Sequence, residues 1–375
     1  MTRLDAIVRR FPLIPRPRPR CGPIEERIAV ARKLADDATM SAPHEGLASA
    51  AQAQNLCALI ASDCGLPDLA RALCRQHHNA YLDARPLTAR QARLALEPLV
   101  NLARIHIRAG DGLAAHALLT DLWRALNDFA PLTIDATTLS LSGLTANSAD
   151  LNDVRTWLWT VLIADGPRAL INAGQWQQAR EHVERHRGIG HTLLDGRQIA
   201  VVAALLTHGP AAALPLIDQT QPAHSWEKAV HACLTVLCHS VASGDTTAHA
   251  ATMRRRYLHL PVEPGTQLFH ARLGLTVIDL LGGPQEERAI PVLTHLLEEI
   301  RHAADGYAAK EVLTGFGSDV LPSHTRQELT RIVHSSGLHQ AGVPSHLKAE
   351  LLHAANTGEQ ALRRILKLTP GGRAG

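Results

Sequence analysis

An all-α fold is what these 375 residues predict, on three observations. The hydrophobic class makes up 46% of the chain but aromatics only 3%, so Ala, Leu and Val carry most of it. Ala and Leu are strong helix formers, whereas strands draw on β-branched and aromatic residues. Apolar positions at helical spacing begin near Ile24 and recur almost to the end. Short breaks punctuate the periodic stretches, at Asp63-Cys64-Gly65, Arg108-Ala109-Gly110-Asp111, Asn172-Ala173-Gly174 and Ser243-Gly244-Asp245. A glycine just after a periodic run stops a helix, because it accepts left-handed backbone at little cost. Helices joined by such tight turns pack as antiparallel neighbours.

The first segment, residues 1–23, is a Pro- and Arg-rich arm. From Pro15 to Pro23, proline at alternate positions removes donors and clashes with the preceding turn, so the arm is expected to run extended over the surface or stay loose. Residues 24–300 carry the helical array. Within it, 129–147 (FAPLTIDATTLSLSGLTAN) is rich in Thr, Ser and β-branched residues and lacks helical spacing. It reads as an insertion, either a long loop or a short hairpin. Residues 301–368 are expected to form a helical cap, and 369–375, TPGGRAG, a disordered tail.

Charge and thiols narrow the function classes. Net charge is +3 with 22 neutral His, so no strong field of either sign is available. Nucleic acid is therefore not expected as a partner, and Arg254-Arg255-Arg256 reads as a solvated face. No run approaches the roughly 18 apolar residues of a membrane span. The N-terminal MTRLDAIVRRFPLIPRPRPR lacks the apolar core of a signal peptide. Cys21, Cys57, Cys64, Cys74, Cys233 and Cys238 include no CxxC pair. Six reduced thiols in a cytoplasmic protein are the expectation.

Three segments share one local grammar. Gly65 is followed by Ala70 and Cys74, Gly110 by Ala115 and Leu119, and Gly174 by Ala179 and Val183. Each turn glycine leads into a helix with a small residue five positions on and an apolar residue nine on. Trp176 adds an aromatic two positions after Gly174, and Leu99, Leu102 and Ala103 precede Gly110 at first-helix positions. This pattern resembles the tetratricopeptide repeat, in degenerate form, over roughly residues 45 to 300. The glycines do not keep the family's spacing, and Gly166-Pro167 is expected to interrupt the helix before Gly174. The high Ala, Arg and His content is similar to that of actinobacterial proteins, where such arrays often form the sensory half of transcription regulators. The resemblance implies an α-α superhelix, a solenoid of antiparallel helix pairs.

Local chemical signals are weak. His182 and His186 stand four apart with His191 nearby, but the segment EHVERHRG is crowded with Glu and Arg and reads as a solvated face. His231, Cys233, Cys238 and His239 lie in an apolar run and read as core. His77-His78 has no partner at ligand spacing. The nucleotide-loop, dinucleotide, nucleophile-elbow and zinc-helix signatures are absent, so no cofactor and no metal is expected.

Under the resemblance, the first helix of each pair lines a concave groove. Counting back from each turn glycine by helical spacing selects Gln52 and Asn55, then Arg104 and Arg108, then Arg168 and Asn172. Amide and guanidinium groups suit an extended backbone and a carboxylate. The reading is a non-catalytic interaction module for a protein segment, peptide or small ligand, regulatory or scaffolding in role. The alternatives are a motif-less helical enzyme or accessory protein of specialised metabolism, and a ligand sensor acting with a separate DNA-binding protein.

Overall fold

The computed structural model describes residues 3–317, 320–338 and 342–368. Most of them are helical, about 72%. In order run α1 (Arg3–Val8), α2 (Ile24–Met40), α3 (Pro43–Asp63), α4 (Pro67–Asn79), α5 (Ala89–Arg108), α6 (Gly112–Asn127), α7 (Ser148–Asn172) and α8 (Trp176–Arg185). There follow α9 (Asp195–His208), α10 (Pro210–Asp218), α11 (Ser225–Val241), α12 (Thr247–Leu258), α13 (Gln267–Leu280) and α14 (Ile290–Ala303). The last three are α15 (Gly306–Gly315), α16 (Ser323–Ser335) and α17 (Ser345–Leu368). The expected tail, 369–375, lies outside the described residues.

Helix ends obey local chemistry. Thr88 and Gln91 form a reciprocal capping box at the start of α5, and the side chains of Asp111 and Asn147 cap α6 and α7. The turn glycines Gly65, Gly110, Gly174 and Gly209 all have positive φ, between 73° and 81°. The break at 243–245 differs from expectation: Ser243, at φ 56°, takes the left-handed conformation in place of Gly244. Gly166-Pro167 does not interrupt its helix, for α7 runs through both, and both are buried. Packing there outweighs the missing proline donor.

Between α6 and α7 the insertion forms a two-stranded antiparallel hairpin, β1 (Leu132–Ile134) with β2 (Thr137–Leu139). Its two turn residues, Asp135 (φ 46°) and Ala136 (φ 65°), are both left-handed, the twist that two-residue hairpin turns require. Leu132 and Ile134 point inward beside α6, and the amide of Leu87 donates to the Leu144 carbonyl at 2.8 Å.

The chain divides into two compact units, each with its own apolar core. One comprises Pro23–Ala173 with Gly337–Gly375. In it α3 to α7 pack in succession, α3 also touches α5, α5 also touches α7, and α17 returns to lie against α2 and α3. The other comprises Met1–Gly22 with Gly174–Ser336, where α8 to α14 pack in succession, α13 also meets α1, α11 and α15, and α16 packs on α15. The stretch 24–300, read as one array, is thus divided at Gly174. The stretch 301–368, read as one cap, gives α15 and α16 to one unit and α17 to the other.

Residues 13–23 of the N-terminal arm form no helix or strand, as the prolines require, but they are not loose. Backbone outside helix and sheet must satisfy its amides and carbonyls elsewhere. Leu13 donates to Gln198 Oε1 at 2.7 Å, and Gln198 Nε2 donates back to the Leu13 carbonyl at 2.9 Å. Arg16 pairs with Asp195 at 2.6 Å, and the amide of Arg18 donates to the Gly265 carbonyl at 3.1 Å. Cys21 donates to Asp305 Oδ2 at 2.8 Å, while its carbonyl accepts from the amide of Gly306 and the hydroxyl of Ser336. Ile7, Val8, Phe11 and Leu13 sit in that unit's core.

Small residues set the helix spacing. Ala70, Ala115 and Ala179 are fully buried, and so are Cys74, Leu119 and Val183 behind them. At Gly112 a Cβ would stand 2.0 Å from the Ala169 carbonyl oxygen, because the first turn of α6 lies against the last turns of α7. Gly110, by contrast, has open space around it and is needed only for its φ of 81°. Gly112→Ala is therefore expected to lower stability by about 2–3 kcal/mol, the usual range for forcing apart packed elements. Gly110→Ala should cost only about 1 kcal/mol, the cost of the left-handed conformation alone. Urea titrations of both variants check this, and equal losses would contradict it.

All six cysteines are free and buried. Burial pushes the Cys64 thiol up to about 11, and Cys57, Cys74 and Cys238 up to about 12. Since only the thiolate reacts, the native protein should be almost inert to a thiol reagent at pH 8. In denaturant six equivalents should react. Rapid labelling of the folded protein would contradict this.

Candidate functional site

In the unit built on α2 to α7 and α17, the sequence sets a polar row on one face of α5. Glu97, Asn101, Arg104 and Arg108 follow one another at intervals of three and four, so they share a helical face. Each meets a residue from a flanking helix or from the row itself. From α3, Asn55 Nδ2 donates to Glu97 Oε2 at 2.9 Å, and its Oδ1 accepts from Asn101 Nδ2 at 3.1 Å. Towards α7, Arg104 Nε and Nη2 both reach Asp165 Oδ2, at 2.9 and 2.8 Å, while Nη1 donates to Asn101 Oδ1 at 3.1 Å. Arg108 Nη1 donates to Ser62 Oγ at 2.9 Å and Asp63 Oδ1 at 3.1 Å. Asp63 is itself buried against Arg27 of α2, which donates to its other oxygen. The result is a ladder across α3, α5 and α7 in two connected groups, one from Glu97 to Asp165 and one around Asp63.

Of the six residues selected from sequence, three lie in this ladder. Asn55, Arg104 and Arg108 are brought together, but as ties between helices. Arg104 is still 49% exposed and Arg108 37%, so part of each guanidinium faces solvent. Gln52 is exposed on α3, one turn before Asn55. Arg168 is half-buried and Asn172 exposed on α7, one and two turns beyond Asp165. Glu97, Asn101 and Asp165 were missed. The spacing 97, 101, 104, 108 was a readable signal for the α5 members. Nothing local marks Asp165.

Above the ladder, α5 and the first half of α7 bound an open groove of about 450 Å³, lined by Ala89, Arg90, Arg93, Leu94, Glu97, Asp153 and Trp157. Trp157 is half-buried, and its neighbour Trp159 is turned outward. Burial pushes the Glu97 carboxyl above the usual carboxylate range, against the opposing pull of Asn55 and Arg104. The groove thus offers two arginines, an indole face and two carboxyls, of which Glu97 has raised proton affinity.

Beneath it, His77, His78 and Tyr81 are buried. His78 Nδ1 donates to the Ala95 carbonyl at 2.8 Å, whereas His77 Nε2, His78 Nε2 and the Tyr81 hydroxyl have no hydrogen-bond partner among the described residues. The sequence had assigned His77-His78 no signal. His182, read as part of a solvated face, is buried instead, its ring 4.7 Å from that of His186. Its side of α8 faces the core, because Ala179 and Val183 flank it at helical spacing. Of the run read as core, Cys233 and Cys238 are buried there, whereas His231 and His239 are half-buried and line a pocket. Among the described residues, no group of three or more His, Cys, Asp or Glu is placed to hold a metal ion. No described helix is long and apolar enough to cross a membrane.

Compared with protein-family models, with curated proteins and with solved structures, the chain matches none of them.

Burial pushes the His77 imidazole down to about 3, and the charge of His78 acts in the same direction. The unfolded chain, near 6.5, then binds a proton that the folded chain refuses, so stability rises with pH in this window. The contribution is present above about 6.5 and is lost progressively as pH falls from there towards 3. The melting temperature is expected to drop between pH 7.5 and 5, and His77→Leu should drop less over the same interval. Parallel slopes for the two proteins would refute this role of His77.

Proposed function

We propose that the unit carrying α3, α5 and α7 is an interaction module that holds a protein segment or peptide across these three helices. In this reading the helices are degenerate tetratricopeptide-like pairs stacked as a solenoid. α3, α5 and α7 are the first helices of successive pairs, and α4 and α6 lie behind them. Direct contacts from α3 to α5 and from α5 to α7 support that alternation. The observation that carries the proposal is the ladder joined to a groove. Asn55, Glu97, Asn101, Arg104 and Asp165 hold three helices in a set register, and Arg90, Arg93 and Trp157 stand at the open groove on the same face of α5 and α7. Preorganised side chains on rigid helices lower the entropy cost of capturing a flexible segment.

The lining selects the ligand chemistry. An acidic side chain or carboxylate suits Arg90 and Arg93, and an apolar side chain suits Leu94 and Trp157. Arg104 and Arg108 already tie helices together, so replacing them would confound binding with folding. Trp157 and the exposed Arg90, whose Nη1 meets only the ring of His44 at 2.6 Å and no buried carboxylate, are better probes. In a selection from a random peptide library, the full chain is expected to enrich peptides with an acidic residue close to an aromatic or aliphatic one. Trp157→Ala and Arg90→Ala should each weaken such a peptide at least tenfold in fluorescence anisotropy, with an unchanged helical spectrum. Failure to enrich any peptide, or equal affinity for the variants, would sink the proposal.

A further inference from the structure

The second unit holds a different kind of concavity. α11 presents His231, Thr235 and His239 at successive intervals of four, and α12 presents His249, Thr252 and Arg256 at intervals of three and four. The two helices pack side by side, so both rows line one pocket of about 300 Å³, closed on a third side by Leu214, Ile217 and Asp218 of α10. Within it the His239 and His249 rings stack, 4.8 Å apart and 9° from parallel. His231 Nε2 donates to the Ile217 carbonyl at 3.3 Å, which sets that ring's orientation. Arg256 is anchored through Nη1, donating to the Lys228 carbonyl at 2.8 Å.

We propose that this pocket binds a small phosphate monoester. The Arg256 guanidinium, the His239 and His249 imidazoles and the Thr252 hydroxyl supply the donors of the lining, while the Thr235 hydroxyl and His231 Nε2 donate to the His231 and Ile217 carbonyls and Asp218 is the one acid of the lining. Multiple oxygens distributed around one centre match such a lining better than the two in-plane oxygens of a carboxylate. Phosphate also carries more charge near neutral pH, about −1.5 to −2 for a monoester, and so gains more from Arg256. Leu214, Ile217 and Ala232 supply an apolar wall for a short carbon chain. At about 300 Å³ the pocket is at the lower end of ligand sites, which limits the ester to a few carbons. Every residue of this pocket belongs to the unit of α8 to α16, so the inference stands apart from the peptide groove.

Isothermal titration of the full chain with glycerol phosphate, inorganic phosphate and acetate tests it. Glycerol phosphate should bind saturably with one site per chain, inorganic phosphate more weakly, and acetate not measurably. Arg256→Gln should weaken the monoester at least tenfold. Should that variant lose its fold with the Lys228 anchor, His249→Gln decides, because His249 is exposed and outside the core. It should weaken binding at least threefold with an unchanged melting temperature. Absence of saturable binding, acetate binding as tightly as the monoester, or unaltered affinity in His249→Gln would overturn the proposal.

Discussion

One buried carboxylate organises the unit that carries the ladder. Asp63, the last residue of α3, gives one oxygen to Arg27 of α2 and the other to Arg108 of α5. A charge taken out of water is tolerated only when it is paired, and removal of one partner of such a pair commonly costs about 3–5 kcal/mol. Asp63 and Arg27 are both about 5% exposed, so neither can turn to solvent for compensation. The relative positions of α2, α3 and α5 therefore follow from one side chain. From α5 the same logic passes to α7 through Arg104 and Asp165, the latter also buried. α17 is fixed on the other side, where Gln54 of α3 donates to the Ala355 carbonyl.

The unit of α8 to α16 solves a related problem with backbone. Its arm has no ladder of its own, and side chains far along the chain satisfy its polar groups: Gln198 at Leu13, Asp305 and Ser336 at Cys21. The same unit buries a second polar group between helices. His295 lies 2.9 Å from Glu299, and His270 lies 3.9 Å from it, beside the buried Tyr257. Burial raises Glu299 above the usual carboxylate range, and lowers His270 to about 4. Each unit thus pairs an apolar Ala- and Leu-rich interior with a few deeply placed polar contacts that set helix register.

Part of the candidate site was legible and part was not. Asn55, Arg104 and Arg108 could be placed on helices by counting from Gly65 and Gly110, since period and turn are local properties. Their roles could not be placed. Arg104 meets Asp165 across 61 residues of sequence, and Arg108 meets Asp63 across 45, so exposure and pairing depended on contacts that no local pattern encodes. Arg168 and Asn172 were counted from Gly174 in the same way, and on α7 it is Asp165 that meets the ladder. Trp157, which lines the groove, carried no sequence mark that separated it from Trp159.

By itself the sequence determined that the chain is built of helices, that turns fall at Gly65, Gly110 and Gly174, and that almost no sheet forms. These follow from the 3.6-residue period, from caps one turn long and from glycine's access to positive φ. Only the tertiary structure decided that residues 129–147 close as a hairpin, that the Pro-Arg arm is tied down, and that α17 rejoins α2 and α3. It alone decided which carboxylate each arginine meets. The reason is physical: the pairing of a buried polar group is set by desolvation and by neighbours brought near in space, often from many residues away.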